Sequence, residues 1–517
     1  MNKIVSTFLW SCAAAVYPVI FLWSKNWEEV FKYELLFNFS LFLIAAFVLY
    51  LFYFKILRNP FKASIASSLT SIMFFCFGYF FDCESISFKW LNATFRIWNY
   101  YVLLPVWVIL FFLLIMGIRK LNESKLSFLY SLQIIIIGTL ISCSLFNLFS
   151  IAFGKQKASV VTIDSATKKP NFCPNMYYII LDEYGREDVL KELYNFDNVE
   201  FINFLKKNNF SVAEKSCSNY CCTMLSIPSS FSMTYIDIAV EDAKAEANAG
   251  KYSPSDYVNK SPLISYLKEA GYTFVNIANG EVFTSTIDGT DIQCGQYFIG
   301  PFTLGIIDKT FVGVFFRKFS PNILHTIVRS EIVLKQFDFL KKSIHLKSPH
   351  FVFCHILCPH APFMFERDGT RRYIKAPDED MHRKKLYAEQ VQYVNTRMMN
   401  ILQELIEVDP NSVVVVQGDH GPAYDNVEFF YGNVDDSKKG LIKERMAILN
   451  AYRFPKNNSP FIPRDITPVN SWRIILNHYF TASLPLLPNS CFWSYPPYIF
   501  KIIQKLSPQE IDGISLQ

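Results

Sequence analysis

Hydrophobic and polar positions divide this chain into two unlike parts. The first 153 residues hold five long stretches without a charged residue. They are Val5–Trp23, Leu35–Phe54, Ala63–Phe81, Tyr100–Ile118 and Leu126–Phe153. Each reaches the roughly 17–25 residues that a bilayer-spanning helix needs. The pattern predicts a five-helix membrane domain over residues 1–153. Beyond it the period shortens. Short apolar runs read as strands at Tyr177–Leu181, Phe210–Lys215, Thr273–Ile277, His350–Leu357, Val413–Val416 and Arg445–Tyr452. Amphipathic stretches between them read as helices at Asn198–Asn208, Leu263–Ala270, Met381–Val408 and Val469–Phe480. Alternating strands and helices predict a layered α/β domain with a mostly parallel central sheet between helices. It covers residues 174–517, and polar residues 154–173 form a linker. The stretch from Asn279 to Lys335 is rich in Gly, Thr and Phe and shows no clear period.

Composition agrees. Half of the residues are hydrophobic, 50 are Phe, and only 18% are charged, as expected for a membrane protein with a soluble part. A net charge of +5 on 517 residues gives no case for nucleic acid. Basic residues in the short loops set the orientation. One side carries Lys3, Lys55, Arg58, Lys62, Arg119, Lys120 and Lys125; the other carries Lys25, Lys32, Lys89 and Arg96. That bias puts the N-terminus in the cytoplasm and, after five spans, the second domain outside. The first span lacks a small-residue cleavage site and reads as an anchor. Eight cysteines follow the last span, an even number suited to an oxidising compartment.

The candidate chemistry gathers where strands end. Val413-Val-Val-Val-Gln-Gly-Asp-His-Gly421 is a strand buried on both faces that stops at Gly418, with Asp419 and His420 at its carboxyl end. Open parallel sheets bind ligands there. An oxygen and an imidazole nitrogen together suit a divalent metal. Gly418 and Gly421 would let the backbone turn tightly around it. Asp182 and Glu183 end the Tyr177–Leu181 strand in the same way. His360 lies just past the end of the His350–Leu357 strand, and His355 lies within that strand, where a satisfied core histidine is the plainer reading. The hydroxyl-rich stretch Cys217–Ser232, which includes Asn219 and Thr223, reads as a helix N-terminus. Its free N–H groups favour an anion such as phosphate. A hydroxyl there could serve as a nucleophile beside a metal.

These residues resemble the alkaline phosphatase/sulfatase superfamily, above all its membrane-anchored transferases: the phosphoethanolamine transferases and the lipoteichoic acid synthases. The resemblance implies a metal site of Asp182, Thr223, Asp419 and His420, holding one Zn2+ or Mn2+. It makes Thr223, in Thr223-Met-Leu-Ser-Ile-Pro228, the nucleophile. His360, in Cys358-Pro-His-Ala-Pro362, becomes a phosphate-binding or leaving-group residue, and Glu183, Asn219 and His355 supporting or substrate-facing residues. It implies transfer of phosphoethanolamine or phosphoglycerol from a membrane phospholipid, through a phospho-threonine, to a surface glycan or lipid. The setting would be the bacterial inner membrane, with the catalytic domain outside. The histidine or arginine that often follows Asp-His-Gly by about a dozen residues is missing here. Sulfatases carry a formylglycine made within Cys/Ser-x-Pro/Ala-x-Arg, a context that Cys217, Cys221 and Cys222 lack. A hydrolase of sulfuric esters or phosphodiesters is the rival activity. A non-catalytic envelope scaffold is the rival of another class.

Overall fold

The computed structural model describes residues 3–26, 30–82, 86–88, 93–95, 100–154, 172–236, 253–295, 297, 299–319, 323–372, 380–424, 439–480, 482–494 and 499–516. Most of the predicted linker, 155–171, lies outside the described residues. The chain divides into two compact units. One is Met1–Gly154 with Tyr297–Leu324; the other is Lys155–Gln296 with His325–Gln517.

The first unit holds helices α1 (Lys3–Lys25), α2 (Lys32–Leu57), α3 (Pro60–Asp82), α4 (Tyr100–Lys120) and α5 (Glu123–Gly154). All five contain a stretch long and apolar enough to cross a membrane. The protein is a membrane protein, and each helix overruns its predicted span by a few residues. Strands β1 (Ile86–Phe88) and β2 (Ala93–Phe95), which follow α3, pair antiparallel. Small residues such as Ala14, Ala15, Ala63 and Ala66 are buried between helices, where they let backbones approach. Polar pairs join the helices: Ser11 Oγ donates to Ser67 Oγ at 2.7 Å, and Gln133 Nε2 to Ser68 Oγ at 2.9 Å. Phe47, Phe112, Ile135 and Phe146 face outward, as lipid-facing residues do.

The second unit is built on a seven-stranded sheet of order β4-β9-β8-β3-β7-β5-β6. Its strands are β3 (Met176–Leu181), β4 (Phe210–Val212), β5 (Thr273–Ile277), β6 (Ile292–Cys294), β7 (His350–Ile356), β8 (Val413–Gly418) and β9 (Asn450–Arg453). Every pairing is parallel except the two made by β9. Side chains alternate between two cores. Tyr177, Ile179 and Leu181 join Cys354, Ile356 and Val416 on one face. Tyr178 and Ile180 join Phe353, Val415 and Trp472 on the other. Both faces are covered, so the strand sequences show no polar alternation. Each fully buried aliphatic side chain contributes about 1.5–3 kcal/mol.

The stretch Arg445–Tyr452 is not one strand. A helix, Lys439–Met446, ends in it and β9 starts only at Asn450. The intervening residues make isolated bridges, Cys217 to Ala447 and Gly185 to Ile448. They bind to the site loops rather than continue the sheet. The unreadable Asn279–Lys335 stretch holds β6 and several helices, part of it in the membrane unit. The glycines around β8 also serve another purpose than expected. Neither Gly418 nor Gly421 has a positive φ. A Cβ on Gly418 would sit 2.5 Å from the Tyr184 carbonyl oxygen, and one on Gly421 2.1 Å from that of Glu444. Close backbone approach, not a left-handed turn, is what these positions require.

Candidate metal centre

Register brings the acids together. Leu181 of β3 pairs with Gly418 of β8 on one side and with Ile356 of β7 on the other. The residues that follow Leu181 and Gly418 are Asp182 and Asp419, at adjacent carboxyl ends. The Asp182 N–H donates to the Ile356 carbonyl at 3.0 Å, extending the ladder by one step. Glu183 then takes a left-handed conformation, φ 61°. Non-glycine residues adopt it at a cost of about 1–2 kcal/mol. Three bonds hold it there. Its N–H donates to Asp419 Oδ1 at 3.1 Å, Tyr387 Oη donates to its carbonyl at 2.6 Å, and its carboxylate receives Arg445 Nη1 at 2.5 Å.

One atom each from Asp182, His355 and Asp419 lie within 4.8 Å of one another, a buried group that can hold a metal ion. Asp182 Oδ1, Asp419 Oδ2 and His355 Nε2 are buried and make no hydrogen bond. Buried polar atoms without partners are rare and costly, so the two carboxylate oxygens, within 4.8 Å of one another, fit a bound cation. Two carboxylates and an unprotonated imidazole nitrogen, which His420 presents 3.3 Å from Asp419, are ligands that zinc and manganese both accept.

The histidines differ in what they present. Asn279 Oδ1 receives Glu281 N, Thr284 Oγ1 and Ser285 Oγ at 2.8, 3.1 and 2.8 Å. That fixes its amide, so Asn279 Nδ2 donates to His355 Nδ1 at 2.7 Å. The neutral ring then carries its proton on Nε2, directed at Asp182 Oδ2 3.3 Å away. His420 is the reverse. Its Nδ1–H donates to the Gly421 carbonyl at 3.1 Å. Its Nε2 lone pair faces Thr223 Oγ1 at 3.0 Å and Asp419 Oδ2 at 3.3 Å. Burial and then the Arg445 charge lower the His420 pKa, which favours this neutral form.

Thr223 is the first residue of α6 (Thr223–Ser232), as the hydroxyl-rich stretch implied. It is only partly buried, so a substrate can reach it. His360 stands at the rim with 38% of its side chain exposed, its Nε2 3.7 Å from Glu183 Oε1. Burial lowers its pKa, but Glu183 and Asp182 outweigh that and leave it raised. Burial pushes Asp182 up, yet His360, His355 and His420 together hold it well below the usual carboxylate range. Asn219 lies apart in function. Its Nδ2 donates to the Ser490 carbonyl and its Oδ1 receives Val469 N, at 2.8 and 2.9 Å. Both ends of its amide brace the C-terminal segment.

Arg445 belongs to the centre and was not among the sequence candidates. It is 5% exposed. Its Nε donates to the Cys221 carbonyl at 2.8 Å, Nη1 to the Gly421 carbonyl at 2.9 Å as well as to Glu183, and Nη2 faces His420 Nε2 at 3.3 Å. One guanidinium thus ties together the loops carrying Thr223, Glu183 and His420. The eight cysteines after the last span are all free thiols, with Cys217 and Cys491 hydrogen-bonded to one another.

The family model described as Sulfatase matches residues 174–463, more than half of the chain. No curated protein matches the chain. Three solved structures are similar at low identity. The integral membrane protein lipooligosaccharide phosphoethanolamine transferase A from Neisseria meningitidis is 13% identical, covering 91% of this chain and 95% of that chain, with TM-score 0.41. The C-terminal periplasmic domain of EcEptC from Escherichia coli, in complex with zinc, is 13% identical, covering 66% and 88%, with TM-score 0.38. The same domain of the phosphoethanolamine transferase EptC from Campylobacter jejuni is 13% identical, covering 62% and 94%, with TM-score 0.38.

Proposed function

The chain belongs to the sulfatase family, and from that membership and the geometry of the centre we propose a metal-dependent transferase. It moves a substituted phosphoryl group, phosphoethanolamine or phosphoglycerol, from a membrane phospholipid to a hydroxyl of a surface glycan or lipid. The observation that carries this reading is the Thr223 hydroxyl, 3.0 Å from the unprotonated nitrogen of His420 at the start of a helix. In this reading Asp182, Asp419 and His420 hold one zinc or manganese ion with the Thr223 hydroxyl beside it, and His355 orients Asp182. When bound, the ion stabilises the threonine alkoxide and the charge on the phosphoryl oxygens.

Thr223 Oγ, its hydroxyl proton given up to solvent, attacks the phosphorus of the donor as the alkoxide. The positive end of α6 favours the negative charge that gathers there. The bond from phosphorus to the glycerol oxygen breaks, and His360 gives that oxygen its proton, releasing diacylglycerol. His360 is suited to this proton transfer because it is exposed at the rim and because Glu183 and Asp182 favour its charged form. An acceptor hydroxyl then attacks the same phosphorus and the bond to Thr223 breaks, restoring the Thr223 alkoxide, with the acceptor's proton passing to His360. Membrane spans place this chemistry where the donor resides. The cytoplasmic N-terminus and the outward-facing catalytic unit are part of the same proposal, in a bacterial inner membrane.

The test is to incubate the full-length protein in detergent with phosphatidylethanolamine, phosphatidylglycerol and an aryl sulfate ester. Diacylglycerol from one phospholipid, with the sulfate ester intact, is the expected outcome. Sulfate release with both phospholipids untouched would assign the centre to sulfuric ester hydrolysis.

The metal site gives a separate prediction. The protein purified with zinc or manganese present carries about one ion per chain, and Asp419→Asn loses it, because one anionic ligand becomes a neutral amide. Plasma mass spectrometry of the purified protein reads the ratio. An unchanged ratio in Asp419→Asn and in Asp182→Asn would place the ion elsewhere.

A further inference from the structure

The membrane unit holds a cavity of about 260 Å3 among α1, α3, α5 and the helix Pro301–Lys309. Ala14, Phe75, Cys76, Ile137, Leu140 and Ile306 are among its walls, and Lys309 lines it too. The helix Pro301–Lys309 is fixed to this bundle by a carboxylate. Glu34 Oε1, in the first turn of α2, receives Gly300 N at 2.9 Å and Thr303 N at 2.7 Å, and Asn38 Nδ2 donates to Thr303 Oγ1 at 2.8 Å. The cavity therefore has a fixed lid, with a cation at the end of it.

That cation is in excess. Asp82, the last residue of α3, receives both Lys309 Nζ at 2.7 Å and Arg317 Nη1 at 2.8 Å. Two cations on one carboxylate leave this triad with one positive charge. A third of the Lys309 side chain is exposed. The cavity thus runs from the level of Ala14, midway along α1, to a positively charged rim at the end of α3. A dry apolar cavity admits an apolar ligand readily and a polar one poorly.

We propose that this cavity is a binding site for one acyl chain of a glycerophospholipid, with the lipid's phosphate at Lys309. The two features together select the ligand. The apolar walls take a hydrocarbon chain, which a soluble metabolite lacks. The rim charge takes a phosphate, which diacylglycerol lacks. The site concerns binding alone and does not depend on the reaction performed at the metal centre.

The experiment uses the full chain, delipidated in detergent and titrated with dioleoyl phosphatidylglycerol or with dioleoylglycerol, bound lipid being counted by native mass spectrometry. The unaltered protein binds one phosphatidylglycerol in preference to the neutral lipid. Ile306→Trp fills the cavity and weakens both. Each methylene kept from burial costs about fourfold, so displacing two or three costs on the order of tenfold or more. Lys309→Gln, on a part-exposed side chain, weakens phosphatidylglycerol alone and removes the preference. Cys76→Phe, which fills the cavity from another wall, replaces Ile306→Trp if that variant does not fold. Wild-type affinity in a folded cavity-filling variant, or an intact preference in Lys309→Gln, would overturn the proposal.

Discussion

Thr223→Ala abolishes diacylglycerol release while leaving the fold intact. The hydroxyl contacts His420 across the site, and the alanine methyl fits at the first position of a helix. Removing a nucleophile typically costs on the order of 10^4-fold or more in turnover. Two neighbouring groups are otherwise engaged. His420 Nε2 faces Asp419 and Arg445 as well as Thr223, and the Cys221 thiol donates to the Ser494 carbonyl at 2.9 Å. Thr223→Ser keeps a hydroxyl at the same atom and retains measurable turnover. The assay is diacylglycerol released per chain, beside a thermal unfolding scan showing that Thr223→Ala still folds. Undiminished release would mean that Thr223 is not the nucleophile.

Arg445→Met has the second large effect, on stability. Glu183 is 1% exposed, and its carboxylate meets Arg445 Nη1 at 2.5 Å. Its other partners are the Tyr424 hydroxyl and His360, the latter at 3.7 Å. Methionine fills the space of the arginine stem but leaves a buried carboxylate without its close cation. Breaking a buried pair in this way costs about 3–5 kcal/mol. The Cys221 and Gly421 carbonyls also lose their donor. Glu183→Gln in the same chain removes the stranded charge, so the double variant should recover part of the loss. Denaturant midpoints of the two single variants and the double variant measure this. A loss in Arg445→Met that Glu183→Gln does not relieve would place the arginine's contribution in the two carbonyl bonds instead.

How much of this was legible depends on where each residue's neighbours lie in the chain. Asp182 and Asp419 could be read because each follows its own apolar run, and a parallel sheet brings such ends together whatever loops intervene. Thr223 could be read because a dense row of hydroxyls before an apolar run marks a helix start. His355 was ambiguous for a physical reason. A histidine inside a buried strand has no local signal for what its ring meets, and its tautomer is set by Asn279, from a stretch without period. Arg445 carries no local signal of its role, because Arg445-Met-Ala-Ile-Leu-Asn-Ala-Tyr452 has the composition of a strand. Its guanidinium meets Glu183, Cys221, Gly421 and His420, all distant in sequence. It also stands farther past Asp-His-Gly than the dozen residues that the resemblance implies. The helix Pro301–Lys309 was hidden likewise: it docks on the membrane bundle through Glu34, some 266 residues away.

Covalent transfer through Thr223 is tested best by the mass of the tryptic peptide that carries it, from full-length protein quenched in acid during a single turnover with phospholipid and no acceptor. A transient adduct on Thr223 is expected, with the added mass of phosphoethanolamine or of phosphoglycerol, appearing as diacylglycerol is released. An adduct on a different residue, or diacylglycerol formed while the Thr223 peptide stays unmodified at every time point, would contradict the mechanism.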